Sequence, residues 1–94
     1  MSSISTEELK QRLQDGGFTL IDVREEWEFE EFNIGGKHMP LNTIEARIAE
    51  LEPLKASEII ICCRSGNRSA TAQRILERLG FQNVKALEGG LKTW

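Results

Sequence analysis

The 94-residue chain has one histidine, His38, and no Cys-x-x-Cys spacing, so it lacks the usual ligand set of a structural zinc site. Its two cysteines, Cys62 and Cys63, are neighbours. A disulfide between sequence neighbours has poor geometry, which excludes the cysteine framework of a small secreted domain. What remains is buried thiols, or a reactive thiol in a reducing compartment. No apolar run is longer than residues 59–63, against the roughly 20 residues that cross a bilayer. The opening Met1-Ser2-Ser3-Ile4-Ser5-Thr6-Glu7-Glu8 has neither the basic stretch nor the apolar segment of a secretory signal. A cytoplasmic protein is therefore expected. There is no excess of positive charge either: the net charge is −3, whereas nucleic-acid binders usually present a basic face. Repeats, low-complexity stretches and linkers are absent, so residues 1–94 are expected to form a single domain.

What is present is 39% hydrophobic and 29% charged residues, the balance of a globular chain with one core. Ser5 and Glu8 have the spacing of a reciprocal helix cap, Leu9 and Leu13 share the face beyond it, and Gly16-Gly17 ends the helix. Phe18-Thr19-Leu20-Ile21-Asp22-Val23 reads as a strand buried on both faces. Residues 25–32 read as a short helix with Trp27, Phe29 and Phe32 at its apolar positions, broken by Gly35-Gly36. Lys37-His38-Met39-Pro40 suits a short strand, and residues 41–51 read as a helix on the spacing of Ile44, Ile48 and Leu51. Glu58-Ile59-Ile60-Ile61-Cys62-Cys63 is the strongest strand signal. A polar loop follows, then a helix from about Ser69 to Leu79, a strand from Asn83 to Leu87 and a Glu88-Gly89-Gly90 turn. Strands alternating with helices imply an α/β fold with a parallel sheet and right-handed crossovers. Ligands bind beyond the carboxyl ends of such strands, where Cys63 and Asp22-Val23-Arg24 fall.

The stretch Cys63-Arg64-Ser65-Gly66-Asn67-Arg68-Ser69 joins the buried strand to a helix start. Gly66 and Asn67 tolerate left-handed backbone angles, so the loop can curl and turn its N–H groups inward as an anion nest. The helix N-terminus adds further free N–H groups, and Arg64 and Arg68 add positive charge. A thiol in such a setting ionises easily, at roughly pH 3.5–7.5 against about 8.5 for a free cysteine, so Cys63 is expected to be a thiolate. Nucleophile and anion site then coincide, which suits attack on an anionic sulfur or phosphorus centre.

These motifs resemble the rhodanese family of sulfurtransferases. Leu20-Ile21-Asp22-Val23-Arg24-Glu25 is similar to the family's first motif. The segment from Asn33 to Leu41 is a looser match to its Gly-His-Ile-x-Gly-Ala motif, with Asn33 where histidine is common. Residues 59–69 resemble the active-site strand and loop, and Glu88-Gly89-Gly90 with Trp94 resembles the closing motif. The resemblance implies a rhodanese-like α/β fold: a central five-stranded parallel sheet flanked by helices on both faces. It implies that Cys63 takes a sulfane sulfur from a donor such as thiosulfate, becomes a persulfide, and passes the sulfur to cyanide or a thiol. Arg64, Ser65, Gly66, Asn67, Arg68 and Ser69 would bind the substrate, with the two arginines on the anionic donor. No metal or organic cofactor is expected, because the sulfur resides on the protein. The expected partners are a small anionic sulfur donor and a thiol or protein acceptor, with neither nucleic acid nor membrane, and the chain is expected to be a monomer or weak dimer.

Two alternatives accompany this reading: a carrier or binding module without turnover, and a cysteine phosphatase or arsenate reductase. Phosphatases of the dual-specificity type place five residues between cysteine and arginine, whereas Arg68 follows Cys63 after four. Cys62 should point away from Cys63 by the two-residue period of a strand and be a core thiol. Asp22 and Arg24 should organise the sheet end. His38 is expected to be structural or solvated, and the acidic run 25–31 a solvated helix face. Trp27, Phe29 and Phe32 read as core or pocket wall, with the core favoured. Charge is segregated, with six acids and one base in residues 22–31 but four arginines and one glutamate in residues 64–78, a field that should steer anions toward the loop.

Overall fold

The computed structural model describes residues 2–94. Five parallel strands lie in the order β1-β5-β4-β2-β3. They are β1 (Ser2–Ile4), β2 (Thr19–Asp22), β3 (Lys37–His38), β4 (Glu58–Cys62) and β5 (Asn83–Leu87). The strand with the strongest apolar signal, β4, is the central one. It pairs with β2 through Ile21 opposite Ile61 and Asp22 opposite Cys62, and with β5 through Ile59 opposite Val84. The short strand β1 carries no strand signal in the sequence. Only Ile4 is buried in it, and its register against β5 sets Ile4 opposite Leu87.

Alternation along β4 divides the core. Ile59, Ile61 and Cys63 face one side, packed with Ala72 and Leu76 of α3 (Asn67–Arg78) and with Ile44 and Leu51. Ile60 and Cys62 face the other, with Leu9 of α1 (Thr6–Asp15), Leu87 and Leu91. Helices thus cover both faces, as a parallel sheet requires. Trp94 is half-buried against the second cluster, and the Lys10 ammonium lies 4.9 Å from its ring centre. The Ser5 hydroxyl accepts from the Glu8 N–H at 3.1 Å and caps α1. At the amino-terminal end of β4, the Glu58 carboxylate is shared by Arg12 of α1 and Lys85 of β5, tying that helix to the sheet far from Cys63.

Beyond the added strand β1, the structure departs from the sequence reading in three further places. The expected helix over 41–51 is replaced by short 3-10 turns at Leu41–Thr43, Ile48–Glu50 and Glu52–Leu54. Local hydrogen bonds hold them: the Thr43 N–H and hydroxyl both donate to the Pro40 carbonyl, at 2.8 and 2.7 Å, and the Leu54 N–H reaches Leu51 at 2.8 Å. Next, α3 begins at Asn67, two residues before the expected start, because Gly66 takes the left-handed φ of 103° and lets the chain turn into the helix early. Finally, Trp27 and Phe32 are not core residues. In the short helix α2 (Glu26–Glu31) the buried residue is Glu28, and the two aromatics stand 59% and 49% exposed. Phe29 stacks on His38, with ring centres 4.5 Å apart.

Candidate active site

The loop after β4 is built around one sulfur atom. Cys63 is wholly buried, and its Sγ accepts from the Gly66 N–H at 3.0 Å and the Ser69 N–H at 3.3 Å. Ser69 is the third residue of α3, the position whose N–H an N-cap oxygen ordinarily satisfies. Gly66, at the cap position, has no side chain to do so, and Cys63 Sγ takes that place. The sulfur therefore sits at the positive end of a twelve-residue helix. Cys62 turns to the opposite face, where burial pushes its thiol pKa up, with the Asp22 carboxylate adding to the effect.

The loop is held from two sides. On the carboxyl side, the Leu91 N–H donates to the Cys63 carbonyl at 2.7 Å and the Lys92 N–H to the Arg64 carbonyl at 3.0 Å. This contact needs glycine at 90. A Cβ there would overlap the Arg64 carbonyl and lie 2.6 Å from the Ser65 nitrogen, and the φ of 68° is itself left-handed. On the other side stands Glu28, whose carboxylate pairs with both terminal nitrogens of Arg68 at 2.6 and 3.0 Å and also accepts from the Glu25 N–H at 2.9 Å. The paired guanidinium pulls the Glu28 carboxyl down to about 2. Arg68 thus fastens the first turn of α3 to α2.

Asp22 and Arg24 organise the sheet end. The Arg24 backbone N–H and guanidinium donate to the Asp22 carboxylate, the closest side-chain contact being 2.8 Å, and Arg24 Nη2 also reaches the Phe32 carbonyl at 2.6 Å. His38 is structural, with Nε2 donating to the Arg24 carbonyl at 2.8 Å. Together these contacts seat α2 over the carboxyl ends of β2 and β4. A cleft of about 200 Å³ lies between α2 and the loop, lined by Arg24, Trp27, Phe32, Arg64 and Lys92 among others. Arg64 is exposed, and among the described residues its side chain forms no ion pair.

The structure therefore brings Cys63, Gly66 and Ser69 together at the sulfur, places Arg64 on the cleft, and leaves Ser65 exposed on the loop and Asn67 exposed at the first position of α3. It also uses one residue that the sequence reading put among solvated acids, Glu28. Its signal was available: Glu25 and Glu28 have the spacing of a helix start in which the later glutamate reaches back to the cap N–H.

The family model described as Rhodanese-like domain matches residues 5–94. The chain belongs to the rhodanese-like family. This is a family of sulfurtransferases and sulfur carriers. A thiosulfate sulfurtransferase of Pseudomonas fluorescens is 32% identical over 88 residues, covering 93% of this chain and 79% of that protein. An adenylyltransferase and sulfurtransferase of Zea mays is 34% identical over 98 residues, covering 97% of this chain but 20% of that protein. The crystal structure of a rhodanese-like domain protein from Staphylococcus aureus superposes with a TM-score of 0.89 at 31% identity, covering 100% of this chain and 91% of that one. The chain spans between a fifth and a half of the length of the first curated relatives it matches. Among the described residues no helix is long and apolar enough to cross a membrane.

Two predictions follow from how the rhodanese loop is held. Glu28→Gln should destabilise the protein at pH 7 by about 1–2 kcal/mol. Because the Glu28 carboxyl is depressed in the folded state, its contribution is complete above its ordinary pKa of 4.5 and is lost as pH falls toward 2. Urea unfolding of both proteins across that range should show the difference closing, and a constant difference would contradict the pairing. Gly90→Ala should cost about 1–3 kcal/mol more than Gly16→Ala. Both glycines have similar backbone angles, but the space beside Gly16 is open. Equal losses would show that the loop does not press on Gly90.

Proposed function

We propose that this rhodanese-like chain moves a sulfane sulfur from a small anionic donor, thiosulfate or similar, to a thiophilic acceptor by way of a persulfide on Cys63. The observation that carries the reading is the pair of backbone N–H groups aimed at a buried cysteine sulfur at a helix N-terminus. In the first step the Cys63 thiolate attacks the outer sulfur of thiosulfate. The new Cys63 S–S bond forms as the sulfur–sulfur bond of thiosulfate breaks, and its electron pair leaves with sulfite. In the second step cyanide or an acceptor thiolate attacks the outer persulfide sulfur, and the electron pair returns to Cys63 Sγ. Charge is conserved in both steps, and negative charge stays on sulfur throughout, where the loop N–H groups and the helix dipole stabilise it.

The two loop arginines have different parts in this reading. Arg64, without an ion-pair partner among the described residues and on the cleft, meets the donor. Arg68, whose charge is matched by Glu28, holds the loop. Exposed Trp27 and Phe32 flank the same cleft. They favour a bulky acceptor, a thiol borne on a larger molecule, and so support a carrier role beside turnover with cyanide. The chain acts as one domain in a reducing compartment.

After thiosulfate treatment the intact mass should rise by one sulfur atom that a reductant removes, and Cys63→Ser should gain none. An unchanged wild-type mass would reject the proposal. Steady-state kinetics should separate the arginines: Arg64→Ala raises the thiosulfate KM about tenfold, the loss of one charged hydrogen bond, while Arg68→Ala mainly lowers kcat. A larger KM effect from Arg68→Ala would reverse their roles.

A further inference from the structure

The buried polar side chains around the site are satisfied, with one exception. Asp22 and Arg24 satisfy each other, Glu28 holds Arg68 and the Glu25 N–H, and the Gln73 amide donates to the Ser2 and Val84 carbonyls at 2.7 and 2.8 Å. The exception is Ser69. It is wholly buried, and its Oγ has no hydrogen-bond partner among the described residues. A buried hydroxyl without a partner costs about as much as a lost hydrogen bond, so native structures rarely keep one without a use. Serine in a helix has a ready remedy, donation to a carbonyl one turn back. Thr71, two residues further on, does this to the Asn67 carbonyl at 3.3 Å, and Ser69 does not.

The orphan hydroxyl belongs to the residue whose own N–H touches Cys63 Sγ. Only three covalent bonds separate that nitrogen from Oγ, so the hydroxyl lies within the immediate surroundings of the sulfur. We infer that the Ser69 hydroxyl is the donor reserved for the sulfur atom that Cys63 acquires. This rests on the persulfide reading above. In the resting protein the Gly66 and Ser69 N–H groups already point at Sγ. A persulfide extends that side chain by a bond of about 2.05 Å and moves the negative charge to its outer atom. That atom is a new anionic acceptor beside the loop. Ser69 supplies a neutral O–H that no other described group uses. Its hydrogen bond forms in the loaded state and is absent in the resting one, so it shifts the loading equilibrium toward the persulfide without deepening the resting state.

The test compares wild type with Ser69→Ala, resting and thiosulfate-loaded, by intact mass, thermal unfolding and sulfite titration. Resting Ser69→Ala should unfold at or above the wild-type temperature, since no partner is lost. Once loaded, wild type should gain more in melting temperature than the variant. Sulfite reverses loading by retaking the outer sulfur as thiosulfate. The sulfite concentration that unloads half the protein should be about tenfold lower for Ser69→Ala, the effect of one hydrogen bond to a charged group. An unchanged sulfite midpoint, with equal destabilisation of the resting and loaded variant, would assign the hydroxyl a purely structural part and overturn the inference. If wild type itself gains no mass, the persulfide reading fails first, and this inference falls with it.

Discussion

Two peptide N–H groups converge on one buried sulfur, and the architecture of the carboxyl end of the sheet serves that convergence. A buried thiol would ordinarily be an inert piece of core, as Cys62 is on the opposite face of the same strand. Cys63 differs because its strand ends one residue earlier and because Gly66 turns the chain back within three residues, so the helix begins with its free N–H groups facing the sulfur. The sulfur thereby becomes the cap of α3. A group that caps a helix can carry negative charge at low cost, and that property turns a core cysteine into a sulfur-handling one.

The loop keeps this shape because it is clamped. The Gly90 turn presses against the backbone of Arg64 and Ser65, while Leu91 and Lys92 return hydrogen bonds to the Cys63 and Arg64 carbonyls. The Glu28–Arg68 pair closes the other side. That pair also changes the electrostatics. Two arginines stand on the loop, yet Arg68 is matched by Glu28 of α2, and the cleft is lined by Arg64 and Lys92 together with the acid Glu31. Two aromatics that could have filled the core flank the cleft instead, because Glu28 occupies the inward face of α2.

Much of this was legible in the sequence, and the exceptions have physical causes. β2 and β4 were visible because apolar runs in parallel strands owe little to their partners. The position of Cys63 at a strand end, and its cradle, followed from β4 ending in a polar, glycine-containing loop. β1 was invisible because three residues hold no period, and its pairing is created by β5. The 3-10 turns after Pro40 mimic helical spacing, since periods of three and four look alike over ten residues. The Glu25–Glu28 spacing marks Glu28 as the reciprocal cap of α2, but its pairing with Arg68, forty residues away, is long-range and has no local pattern. The Ser69 hydroxyl was hidden for the opposite reason: its distinguishing feature is the lack of a partner among the described residues, which appears only once the chain is folded.

The central claim is that the Gly66 and Ser69 amides hold the sulfur on which chemistry occurs. Amide proton and nitrogen NMR shifts, followed as thiosulfate is added and then reversed with sulfite, test it most directly. The account predicts that these two resonances move most, in slow exchange, saturating at one sulfur per chain and returning when sulfite is added. Resonances at Gly66 and Ser69 that stay fixed while sulfur is loaded, or that respond only to salt, would contradict it.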